Sequence, residues 1–144
     1  MHPVLKVLGQ WLDDAFKDVR VNSVGHVVVH LRGDPPFMVG VDEAGILGVI
    51  ADLHVPFLSS VQECAELYEV VAMNEGLAPL GHVRVIPEAG PRGSCTLELR
   101  YQLSAASLTQ DSLVQFCLQL STLAKSARDK LRPVFGGVSI VSEG

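Results

Sequence analysis

Between Cys95 and Leu103 apolar and polar side chains alternate without a break, which restricts the chain to folds containing a sheet packed on one face. Cys95, Leu97, Leu99, Tyr101 and Leu103 fall on one side of such a strand. Thr96, Glu98, Arg100 and Gln102 fall on the other, which a one-sided sheet presents to water. Three stretches upstream repeat the period. His26 to Arg32 directs Val27, Val29 and Leu31 inward, Phe37 to Val41 directs Phe37, Val39 and Val41, and Ile46 to Leu53 directs Leu47, Val49, Ala51 and Leu53. Their connections are short. Gly33-Asp34-Pro35-Pro36 cannot continue a ladder, because proline lacks the N–H, and Asp42-Glu43-Ala44-Gly45 turns tightly with Gly45 free to take positive φ. An antiparallel meander follows. His82 to Ile86, stopped by Pro87, is a short fourth strand, and Glu88 to Gly93 is the hairpin loop leading into Cys95.

Helices flank these strands. Val4, Leu5, Leu8, Trp11, Leu12, Ala15 and Phe16 recur at helical spacing after Pro3, a residue suited to a first turn. Ser60-Val61-Gln62-Glu63 has the form of a capping box, opening a helix to about Asn74 that Gly76 ends. Thr109 is the N-cap of a closing helix to about Arg132, with Leu113, Phe116, Cys117, Leu120, Leu123, Ala124, Ala127 and Leu131 as its apolar stripe. The expected fold is therefore α+β, a single domain in the order α-β-β-β-α-β-β-α. Its sheet is five-stranded, mostly antiparallel and covered by helices. Residues 1–135 make the domain. Residues 136–144 are expected to be a mobile tail, with a short strand at Val138, Ile140 and Val141 as the alternative.

A chain of 144 residues buries roughly 68–70% of its unfolded surface, enough for a core without metal or disulfide. At 48% hydrophobic and 19% charged residues it is globular in composition. Its net charge of −5 opposes binding of polyanions through bulk charge. Cys64, Cys95 and Cys117 stand too far apart for a zinc motif and are odd in number, so they read as core residues of a reducing compartment. No stretch is long and apolar enough for a membrane helix, and Gln10, Asp13 and Asp14 interrupt any leader. Cytoplasm is the expected location.

No chemistry assembles from the motifs. His26 and His30 lie on one strand face roughly 13 Å apart, whereas two ligands of one zinc each lie about 2 Å from it. His54 and His82 sit at strand edges with no carboxylate spaced to join them. There is no nucleophile elbow, and Gly90-Pro91-Arg92-Gly93 is too short to cradle phosphate. Asp13 and Asp14 are neighbours on a helix and diverge. The chain is read as a non-enzyme, with no cofactor and no metal.

Two surfaces remain. Lys125, Arg128 and Arg132 form a basic side of the last helix, with Lys130 nearby, where cations complement the helix dipole or, alternatively, contact nucleic acid. Glu63, Glu66 and Glu69 are a dipole-favoured, solvated helix start. On the second face of the first three strands Val28, Met38, Ile46 and Ile50 alternate with the core residues, and Gly40 and Gly48 share that face. An apolar face of this kind meets either a helix of its own chain or another protein.

The order and punctuation of the chain resemble the YbjN-like family, whose fold is that of type III secretion chaperones. The resemblance runs over roughly residues 3–135. It comprises the helix end at Met73-Asn74, Leu80-Gly81 before a short strand, the glycine-containing hairpin, the strand end at Leu103, Leu108-Thr109 opening the last helix, and its end near Pro133. The Pro35-Pro36 turn and the residues after Gly136 lie outside the pattern. The resemblance implies a compact α+β domain, commonly a homodimer, that acts by protein–protein contact. It carries over no functional residue. The expected function is thus a non-catalytic, chaperone-like or adaptor interaction module, with Val28, Met38, Ile46 and Ile50 at the partner or dimer surface. The alternatives are accessory nucleic-acid binding through Lys125, Arg128 and Arg132, or a small enzyme. The expected partner is another protein, with direct nucleic-acid binding and membrane contact disfavoured.

Overall fold

The computed structural model describes residues 2–32, 36–56, 58, 60–73, 82–87 and 94–140. Its elements are helix α1 (Pro3–Ala15), strands β1 (Val19–Val21), β2 (Val27–Val29), β3 (Phe37–Val41) and β4 (Leu47–Val55), and helix α2 (Val61–Met73). Strands β5 (His82–Pro87) and β6 (Cys95–Gln102), helix α3 (Gln110–Phe135) and strand β7 (Ser139–Ile140) complete them. The α+β class and the antiparallel sheet are those expected. Among the described residues the sheet has seven strands rather than five, in the order β1-β2-β3-β4-β6-β5, with β7 pairing on β4.

The two added strands are short, three residues in β1 and two in β7. β1 turns into β2 through Asn22, whose side-chain oxygen accepts from the backbone of Val24 and His26. The resulting β2 stops at Val29 instead of Arg32. β7 takes the strand alternative for the tail. Leu53 pairs with Ile140 and His54 with Ser139, and Val138 is buried beside them. The turn at 33–35, the residues 74–81 after α2 and the loop 88–93 lie outside the described residues.

Helices α1 and α3 cover one face of the sheet. Leu5, Leu8 and Leu12 of α1 and Leu113, Cys117, Leu120, Ala124, Ala127 and Leu131 of α3 meet the inward rows Val27–Val39–Val49 and Phe37–Val29. Phe16 closes the end of α1 edge-on against Phe37, ring centres 5.8 Å apart. Both helix starts obey the sequence. Pro3 occupies the first turn of α1, and Thr109 and Ser112 form a reciprocal capping box on α3. Ser60 Oγ accepts from the Glu63 backbone at 3.1 Å, the first half of the box expected for α2. Cys95 and Cys117 are buried and Cys64 is half-buried, and burial pushes the Cys117 thiol far above its ordinary range.

Candidate protein-docking surfaces

The opposite sheet face carries two adjoining rows set by register. Arg20, Val28, Met38, Ile50 and Arg100 stand side by side across β1, β2, β3, β4 and β6. In the next row Gly40 and Gly48 are cross-strand partners. The two glycines are seats. A Cβ on Gly40 would fall 2.5 Å from the His26 ring, and one on Gly48 would fall 2.8 Å from Arg100 Nε. Close approach does occur on this face, and the chain's own His26 and Arg100 make it.

Arg100 lies down on Gly48 because carboxylates and a carbonyl surround its head. Its guanidinium is 3.1 Å from Asp42 Oδ2 and 3.9 Å from Glu98 Oε1, and donates to the Ile46 carbonyl at 3.3 Å. Arg84, the cross-strand partner of Glu98, donates to both its oxygens at 3.2 and 3.3 Å, the fork geometry arginine favours. Glu98 and Arg100 are consequently buried, a correction to their expected place in water: mutual neutralisation lets an outward polar pair leave solvent. These groups wall a depression of about 660 Å³ between the Asp42–Ile46 turn and the His26 side of the sheet.

Asp42 also accepts from the Ile46 backbone N–H at 2.9 Å. That hydrogen bond, together with the charge of Arg100, holds its carboxyl below the usual value of 3.8 despite some desolvation. A depressed folded value stabilises the protein fully above 3.8 and ceases to do so as pH falls through the lower, folded value. Asp42→Asn should therefore flatten the acid limb of the melting temperature against pH below about 4, and a limb of unchanged slope would contradict this reading.

The apolar residues expected here occupy unequal positions. Val28 is only 1% exposed and Ile50 6%, so both are already buried within the subunit, correcting their reading as an open patch. Among the described residues none of α1, α2 or α3 lines the depression on this side. Long neighbours in register flank them instead: Arg20 and Met38 on either side of Val28, Met38 and Arg100 on either side of Ile50. Met38 is half-buried, and Ile46, at 37%, is the exposed member. Of the basic residues, Arg128 pairs with Asp129 at 3.3 Å and Arg132 Nε donates to the Val138 carbonyl at 2.9 Å. They serve the end of α3 and the entry to β7, while Lys125 is exposed. Among the described residues no group of three or more His, Cys, Asp or Glu is placed to hold a metal ion.

The surface that sequence reasoning missed lies at β1. Asn22 donates to the His26 carbonyl and His30 donates to the Asp18 carbonyl, each at 3.0 Å. Antiparallel pairs alternate, so Arg20 bonds inward to Val28, and the N–H and C=O groups of Val19 and Val21 point away from β2. β1 ends the strand order, leaving these groups on an edge among the described residues. Beside that edge runs a groove of about 360 Å³ between α1 and the sheet, lined by Leu5, Gly9, Val19, Val21 and Val27 with Lys6, Gln10, Asp13 and Arg20 along it. A Cβ on Gly9 would stand 3.5 Å from Val27, an ordinary van der Waals contact, so α1 and β2 pack here at normal distance. The half-exposed Val21 opens into this groove.

No family model matches the chain, and no curated protein matches its sequence. Among solved structures it is similar to the Yersinia pestis type III secretion chaperone SycH, in complex with a stable fragment of YscM2. The sequences are 15% identical, 91% of this chain and 98% of that one are covered, and the TM-score is 0.49.

Helix α2 offers a second apolar surface. Leu67 is fully buried and Cys64 packs half-buried against the core, whereas Val61, Ala65 and Tyr68 recur at helical spacing on an outward stripe, with Val61 88% and Tyr68 56% exposed. No described helix is long and apolar enough to cross a membrane.

Proposed function

We propose that the chain is a non-catalytic, chaperone-like protein-interaction module of the cytoplasm that captures an extended segment of another protein along β1. The observation that carries this reading is the edge of β1. Its outward N–H and C=O groups demand strand partners, and an apolar groove lies beside them to receive alternate side chains. A homodimer belongs to this reading and is favoured separately by the α2 stripe, whose exposed Val61 and Tyr68 suit an isologous contact.

Val21→Pro removes one outward N–H without touching a β1–β2 hydrogen bond, since the Val21 N–H points away from β2. Proteins retained by the immobilised wild type from native lysate should be lost on the variant, and equal retention overturns edge capture. Light scattering after gel filtration should give twice 15.5 kDa for the wild type and 15.5 kDa for Tyr68→Glu. A monomeric wild type removes the dimer.

A further inference from the structure

We infer that the segment captured at β1 carries an acidic residue between two apolar ones; this deepens the proposed function and rests on it. The side chains of β1 divide between two faces. Val19, Arg20 and Val21 all border the groove under α1, but alternation sends the Val19 and Val21 side chains toward it and sets that of Arg20 in the open-face row with Val28. An added strand divides in the same way. Its residues opposite Val19 and Val21 enter the groove and must be apolar, while the residue between them stands beside Arg20.

The pairing geometry sharpens that contact. Val19 and Val21 present the outward hydrogen-bonding groups, so an antiparallel segment forms its bonded pairs with them, and its residue opposite Arg20 belongs to a non-bonded pair. Such pairs have the closer side chains, and opposite charges there attract. Arg20 suits the role. It is exposed, and none of the described carboxylates pairs with it. Its Nη2 is 2.8 Å from His30 Nε2. A guanidinium only donates, so His30 accepts and holds the group over the sheet without cancelling its charge.

Random twelve-residue peptides displayed on phage and panned on the wild type should enrich Asp or Glu between two apolar residues. Panning on Arg20→Glu should replace the acid with Lys or Arg. In a selected synthetic peptide, changing the acid to Lys should weaken binding to the wild type about two- to fivefold and strengthen binding to Arg20→Glu. Peptides that bind without a charge preference, yet are lost on Val21→Pro, overturn this inference and leave edge capture standing. Peptides that bind Val21→Pro as they bind the wild type overturn both, as does a library yielding no binder. Should Val21→Pro melt below the wild type, Val21→Glu, a charge at a half-exposed position facing the groove, takes its place with the same outcomes.

Discussion

Ile50→Asp is expected to cost more than 4 kcal/mol of folding stability and to lower the urea midpoint by about 2 M. The side chain is nearly fully buried between Met38 and Arg100, so about 1.5–3 kcal/mol of apolar burial is lost outright. The new carboxylate must also leave water. Arg100, its register neighbour, returns part of that cost, but Arg100 is already committed to Asp42 and Glu98. Ile46→Ser, on the same face but exposed, should stay within about 1 kcal/mol of the wild type. An Ile50→Asp protein as stable as Ile46→Ser would place Ile50 in solvent and restore the open apolar patch.

Arg100→Met should lower stability by about 3 kcal/mol and the melting temperature by about 10 °C. The substitution strips Asp42 of its cation and leaves the buried Glu98 with Arg84, a partner whose own side chain is 60% exposed. Buried pairs are costly to break from one side and cheap to remove from both. Glu98→Met added to Arg100→Met should therefore recover at least about 1 kcal/mol, a non-additivity visible in thermal melts. A single variant melting within about 2 °C of the wild type would reduce the network to a solvated surface pair.

Legibility followed length and polarity. β4 was readable because Leu47, Val49, Ala51 and Leu53 repeat the period four times, and α3 because its stripe persists along 26 residues between Thr109 and Gly136. Val19-Arg20-Val21 holds one period only and directly follows a helix, so no local pattern separated it from a loop. The same shortness hid the β1 groove, which needs α1 and β1 placed side by side. Glu98 and Arg100 were assigned to water because alternation reports which face a residue takes, not what lies on that face. Only register brings Arg84, Glu98, Asp42 and Arg100 together and sets Gly40 against Gly48. Val28 and Ile50 failed as an open patch for that reason: their cover comes from long side chains of neighbouring strands, a feature without sequence period.

The place of β4 has a consequence for synthesis on the ribosome. Its first half pairs with β3, already made, but its other partners, β6 and β7, are encoded far downstream, Leu53 meeting Ile140. While the chain elongates, one edge of β4, the longest described strand, stays without its ladder, and local contacts cannot substitute for pairings so distant in sequence. Folding of β4 must therefore wait until β6 and β7 have emerged. A ribosome-stalled chain ending before β6 should be open to protease at β4 while the β1–β2–β3 meander and α1 are already present.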